Sequence, residues 1–232
     1  MLKDIEKSKP ESKEQLNDEI REYRSRLFGM LQNIREKKIP VLVLLEGWSA
    51  AGKGSLIKEL ISEIDPRFYN VVSPAVTAEN ESRYPFLYPY ACAIPENGKI
   101  MFLDSGWMEN LVRKYIRREI TEDEYKKRIR SINEFERQLR DGGYIILKLF
   151  LHIDREEQLK RLEALYSAPE TRWRVTDDDL WQNREYNRFF KAYDEAMEKT
   201  DKSVKWHILD ARMQAQGKKA RSSYTSAGGQ TL

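Results

Sequence analysis

Cysteine is nearly missing from this sequence, with Cys92 alone among 232 residues. One cysteine excludes an internal disulfide and a cysteine-rich metal site. Histidine is almost as scarce: His152 and His207 leave no material for a histidine metal cluster. Long apolar runs are absent as well. Apolar residues make up 40% of the chain and charged ones 34%, and no stretch nears the roughly 18 residues that span a bilayer. The opening MLKDIEKSKPESKEQLNDEI is charged from the outset and lacks an apolar core before a small-residue cleavage site, so no signal peptide is expected. These scarcities predict a soluble, cytoplasmic protein with no membrane partner. A dominant charge of one sign is missing too, with 41 Lys and Arg against 38 Asp and Glu for a net +3. Nothing in that balance asks for nucleic acid as a partner.

The charges that are present are unevenly placed. From Arg113 to Arg140 there are ten basic residues and six acidic ones, a run that reads as a solvated helix face or as an anion-collecting surface. The length suits one domain, since single cores extend to about 250 residues.

Periodicity then divides the chain. Leu16, Ile20, Tyr23, Leu27, Met30 and Ile34 fall on one stripe and predict an amphipathic helix over Glu14–Lys38, ended by Pro40. Val41–Leu45 is a continuous run of branched apolar residues, as in a strand buried on both faces of a parallel sheet. Leu56, Ile57, Leu60, Ile61 and Ile64 recur at helical spacing and predict a helix over Lys53–Ile64. Further strands are expected at Tyr69–Ser73, Ile100–Leu103, Tyr144–Leu151 and Val204–Leu209, with helix-start signals at Thr121–Glu124 and Asp154–Glu157. Strands alternating with helices predict an α/β layer fold with right-handed crossovers. Residues 74–99 hold four prolines and predict a loop-rich excursion, and residues 212–232 read as a mobile tail.

Between the first strand and the helix lies EGWSAAGKGS. Gly47 and Gly52 bracket four residues, and Lys53 follows. Glycines let the backbone turn out of a strand and approach a phosphate closely, Lys53 adds a mobile charge, and the helix N-terminus adds its dipole. Gly47, Ser49, Gly52, Lys53, Gly54 and Ser55 therefore make a candidate phosphate-binding loop, although Gly54 stands where a magnesium-ligating hydroxyl commonly follows the lysine. Asp104 closes the apolar run KIMFLD. It reads as a helix cap or, in company with the loop, as the strand-end acid that holds magnesium. SAPETRWRVTDDD, at 167–179, reads as a loop with a packing tryptophan, or as a lid bringing Arg172 and Arg174 over phosphates. Lys148 reads as reaching solvent at a sheet end, or as facing phosphate. His152 reads as a strand-end contact, Glu136 as a surface charge or a site residue, and Trp107, Trp173 and Trp181 as packing residues.

Taken together, LLEGWSAAGKGSLIKEL, IPENGKIMFLDSGW, INEFERQLRDGGYIILKLFLHIDREEQLKRL, TRWRVTDDDLWQNREY and TDKSVKWHILDA resemble the polyphosphate kinase 2 family, over about residues 1–211. The leading MLKDI resembles in particular one half of its tandem-domain members, the polyphosphate:AMP phosphotransferases. The resemblance implies a P-loop kinase-like three-layer α/β sandwich with a parallel five-stranded sheet and a helical lid at about 167–180. It implies an N-terminal helical extension over 1–40 and the catalytic domain over 41–211. It implies Mg2+, with Lys53 and Asp104 catalytic, Asp104 and less strongly Glu136 toward the metal, and Arg161, Arg172 and Arg174 toward polyphosphate. The implied partners are inorganic polyphosphate, a nucleoside mono- or diphosphate, and either further copies of the chain or a second like domain. The implied activity is phosphoryl transfer between polyphosphate and AMP, ADP or a related nucleotide.

Three positions depart from the family pattern. Ser49 stands for an Asp, Ser105 for an Arg and Pro89 for an Arg. Losing an arginine that neutralises a transferring phosphoryl group costs on the order of a thousandfold in rate. The alternative expectation is therefore a catalytically impaired half-domain kept for polyphosphate binding or for structural pairing.

Overall fold

A computed structural model describes residues 1–2, 29–62, 64–74 and 83–212. Residues 29–36 are helical. The rest of the predicted N-terminal helix, part of the proline-rich excursion and residues 213–232 of the expected tail lie outside the described residues.

Five parallel strands run β1 Val41–Gly47, β2 Tyr69–Val72, β3 Ile100–Asp104, β4 Ile145–His152 and β5 Trp206–Asp210, ordered β2-β3-β1-β4-β5. β1 is central and buried along its whole length, which is why its sequence is apolar without alternation. The helices are α1 Lys53–Ile61, α2 Trp107–Ile116, α3 Glu122–Asp141, α4 Arg155–Ser167, α5 Asp177–Arg184 and α6 Tyr186–Thr200. From β1 the chain steps outward to β2, whereas from β2, β3 and β4 it steps back the other way. Right-handed crossovers therefore put α1 on one face of the sheet and the later helices on the other, giving three layers. α2, α3 and α6 pack on one another accordingly.

That reversal matters for the site. Chains leaving the C-terminal ends of β1 and β3 part to opposite faces, and the crevice between them is where such sheets bind ligands. Leu45 pairs with Asp104 and Gly47 with Leu151, so the loop after β1 and the acid ending β3 emerge side by side.

The local start signals behave as read. Thr121 Oγ1 accepts from the Glu124 amide at 3.2 Å and Asp154 Oδ1 from the Glu157 amide at 2.9 Å. The predicted helix after the loop stops three residues early, at Ile61. In the proline-rich excursion, Tyr88–Ala91 forms one helical turn with Pro89 in its first positions, where a missing N–H costs nothing.

Lys148 corrects an expectation. It does not reach solvent: its side chain is fully buried and its ammonium donates to Glu136 Oε2 at 2.8 Å, Glu136 Oε1 at 3.1 Å and the Thr200 carbonyl at 2.8 Å. The Trp206 ring lies 4.6 Å away. Glu136 is likewise buried, not a surface charge. Burial raises the Glu136 pKa and lowers that of Lys148, each opposed by the partner's charge.

Candidate active site

The loop is built by glycine where glycine is needed. Gly47 has φ +135°, and a Cβ there would sit 2.4 Å from the Leu151 carbonyl oxygen. Gly52 has φ +99° and precedes α1. Ala50 adopts φ +60° without glycine's freedom, so the loop carries backbone strain of the kind that gathers at ligand sites. At Gly54, by contrast, a Cβ would meet nothing within 4 Å, and Gly54 and Ser55 lie exposed in the first turn of α1. Packing does not forbid a hydroxyl residue at position 54.

Lys53 folds back over the loop. Its ammonium donates to the carbonyls of Gly47 at 3.3 Å and Trp48 at 3.4 Å, and lies 3.9 Å from Glu109 Oε2. Glu109 comes from the first turn of α2, behind Asp104 in the chain. Burial alone would raise the Glu109 pKa, but the charges of Lys53 and Arg113 and hydrogen bonds from Ser105 and Arg113 outweigh it and leave Glu109 below the usual value. Asp104 is raised: burial dominates, Lys53 opposes it and Glu109 adds to it.

Glu46, the last acid of β1, was invisible as a site residue in sequence. It is fully buried, and its Oε1 accepts from the Met108 amide at 2.9 Å and its Oε2 from the Glu109 amide at 3.2 Å. Burial and the Glu109 charge push its pKa up to about 8, against the pull of those amides and Lys53. Gly106 makes room for it, since a Cβ there would meet Leu44 Cδ1 at 2.0 Å and Glu46 Oε1 at 2.9 Å. An acid directly before Gly47 in VLVLLEG was the available signal.

Ser49 is held by the far side of the crevice. Its amide donates to Gln182 Oε1 at 2.8 Å and its hydroxyl to Asp179 Oδ1 at 2.6 Å. Gln158 Nε2 donates to Gln182 Oε1 at 2.8 Å and to the Ser49 carbonyl at 3.3 Å, and Asn183 Nδ2 to Gln158 Oε1 at 3.0 Å. Asp179 also closes a capping box with Thr176 at the start of α5. A buried amide network thus fastens α5 to the loop. No residue-type pattern in the sequence pointed to it, because its members come from β1's loop, α4 and α5.

The other expected site residues are dispersed. Arg161 lies beneath the loop, donating to the carbonyls of Ala51 at 3.2 Å, Ala50 at 3.4 Å, Ala211 at 2.7 Å and Arg212 at 3.2 Å, and pairing with Glu157 at 2.8 Å. Glu136 sits with Lys148, which pairs with Leu44, three residues before Gly47. It is therefore roughly 10 Å down the sheet from the loop. Arg172 and Arg174 form an exposed single turn. Of the basic run, Arg113, Arg117, Lys126, Arg128 and Arg137 are paired with acids, which favours the solvated-face reading for that stretch. Ser105 has φ +67° and Pro89 lies in its helical turn. His152 accepts from Trp48 Nε1 at 3.2 Å, a strand-end contact as read. Trp107 is buried and Trp181 packs edge-on against Phe189. Trp173 is not a packing residue: it is 74% exposed.

Among the described residues no group of three or more His, Cys, Asp or Glu side chains is placed to hold a metal ion. No helix among them is long and apolar enough to cross a membrane.

The sequence profile described as Polyphosphate kinase 2 (PPK2) matches residues 10–223. A polyphosphate:AMP phosphotransferase of Pseudomonas syringae pv. tomato is 30% identical over 202 residues, 86% of this chain and 40% of that protein. An AMP/ADP-polyphosphate phosphotransferase of Meiothermus ruber is 31% identical over 172 residues, 74% of this chain and 64% of that protein. The crystal structure of polyphosphate kinase 2 from Arthrobacter aurescens TC1 has the same fold, with a TM-score of 0.87 at 23% identity, covering 100% of this chain and 86% of that one. The chain spans about 40% of the length of its Pseudomonas relatives. With the profile covering nearly all of it, the chain belongs to the polyphosphate kinase 2 family.

Proposed function

We propose that this domain transfers a phosphoryl group between inorganic polyphosphate and a nucleoside mono- or diphosphate. The observation that carries the reading is the crevice itself: the Gly47–Lys53 loop opens beside Asp104 and Glu109 at the point where the sheet's connections part. Relatives named for transfer between polyphosphate and AMP, ADP or other nucleotides support it.

Phosphoryl transfer asks little covalent chemistry of a protein and much positioning and charge. Here the loop amides and the N-terminus of α1 hold phosphate oxygens. Lys53, now resting on two carbonyls, swings onto the transferring group. Arg172 and Arg174 close over the outer phosphates. The carboxylates fit a hard divalent cation such as Mg2+, which takes one or two protein carboxylates and completes its shell with water and phosphate. Asp104 would hold it, with Glu109, whose Oε2 is buried and accepts no hydrogen bond, as second ligand. When bound, such an ion neutralises charge on the phosphate oxygens. The alternative is an impaired half that binds polyphosphate and pairs with a like domain, and it draws on Ser49, whose amide and hydroxyl are both engaged by the lid.

The test is incubation with magnesium, long-chain polyphosphate and AMP or ADP. Nucleotide product that disappears in Lys53→Ala supports transfer. Polyphosphate binding without product leaves the impaired half, and neither binding nor any effect of Lys53→Ala rejects the phosphate site.

A further inference from the structure

Among the described residues Trp173 is the large apolar side chain most open to solvent. It is nevertheless fixed: its indole N–H donates to the Glu170 carbonyl at 2.9 Å, and the Arg174 guanidinium lies 5.4 Å from its ring centroid. Beside it, Arg172 donates to the Tyr166 carbonyl at 2.9 Å and lies 5.2 Å from that residue's ring. Neither Arg172 nor Arg174 has a carboxylate partner among the described residues, whereas Arg113, Arg117, Arg128, Arg161 and Arg188 all do. The segment therefore holds out an aromatic ring with one guanidinium over it and a second cation one residue away in the chain.

The indole is tied to the loop through α5. Two residues separate Trp173 from Thr176, a span of about 11 Å at most. Thr176 shares its capping box with Asp179, which accepts from Ser49 in the loop at 2.6 Å. A chain of phosphates has no apolar face and gains nothing from an indole. A nucleobase does, because every base offers a π-face to stack on an aromatic ring.

We propose that Trp173 is the stacking surface for the base of the nucleotide substrate, an inference that rests on the phosphotransferase reading above. Stacking on an aromatic ring tolerates any base, so the site recognises a nucleoside as a class.

Calorimetric titration of the full chain with AMP and with ribose 5-phosphate, which lacks the base, tests this. Trp173→Ala should weaken AMP by roughly 5- to 100-fold, in keeping with the loss of one stacked base, and leave ribose 5-phosphate unchanged. Trp173→Phe should keep most of the AMP affinity. Equal AMP binding by Trp173→Ala and the parent, an equal loss for both ligands, or a change in oligomeric state alone overturns the assignment. If the parent makes nucleotide product and Trp173→Ala still titrates like it, only the stacking role falls. If the parent neither transfers nor binds AMP, the phosphotransferase reading falls with it.

Discussion

Ser49 donates its hydroxyl hydrogen to Asp179 across the crevice, at 2.6 Å, so the loop and α5 share one short hydrogen bond. The resemblance leads one to expect Asp at position 49, and here that carboxylate would meet another. Ser49→Asp is expected to lower stability by roughly 1–3 kcal/mol, because it removes a donor and adds a like charge. Adding Asp179→Asn should recover most of the loss. Thermal unfolding of the parent and the two variants at pH 8 measures both, and a double variant no more stable than Ser49→Asp would contradict the arrangement. Any attempt to raise activity with Ser49→Asp and Ser105→Arg therefore needs Asp179 changed as well.

Arg161 and Arg172 should separate in their effects. Arg161 holds four main-chain carbonyls behind the loop, so Arg161→Ala is expected to cost about 1–3 kcal/mol of stability through the acceptors left unpaired. Arg172 is exposed, and Arg172→Ala should stay within about 0.5 kcal/mol of the parent while weakening polyphosphate. Urea unfolding paired with polyphosphate titration reads the contrast, and the reverse pattern would exchange their roles.

Glu136 and Lys148 should behave as one unit. Removing either partner leaves a buried charge alone, so Glu136→Leu or Lys148→Met is expected to cost about 3–5 kcal/mol. The double variant should cost clearly less than the two losses added together, which a double-mutant cycle by chemical denaturation determines. Strict additivity would mean the pair contributes nothing as a pair.

Glu46 gives stability a pH slope of known sign. Its folded pKa of about 8 exceeds the ordinary 4.5, so between those values the folded state keeps a proton that the unfolded state has released. Its contribution is fully present below pH 4.5 and is lost as pH rises toward 8, by no more than about 1.4 kcal/mol per pH unit for one proton. His152 and His207 are held below 6.5, first by burial, so the slope they add has the opposite sign and fades as the unfolded imidazoles lose their protons. From pH 7 to 9 the parent should lose stability more steeply than Glu46→Gln. Parallel curves in thermal scans would show that Glu46 is ionised throughout.

Much of this was legible in the sequence because it is local. An unbroken apolar run marked β1, paired glycines and a lysine marked the loop, and Asp104 stood at a strand end. The buried partnerships were not legible, since each joins elements brought together only by the crossovers. Lys148 inside an apolar strand gave no hint that Glu136, on the preceding helix, pointed at it. Ser49 meets Asp179 and Gln182 over more than a hundred residues. Trp173 misled for a related reason: tryptophan usually packs, and here it sits in a single exposed turn with only the Arg174 guanidinium over its ring among the described residues.

The Glu46 contacts reach beyond stability. Two helices begin at the crevice, and each N-terminus is a patch of partial positive charge. That of α2 is already occupied, because Glu46 accepts hydrogen bonds from the amides of Met108 and Glu109. That of α1 has no side-chain cap and no acidic residue in its first turn. An arriving anion thus finds one of the two sockets filled by the protein's own side chain, and is directed to the loop.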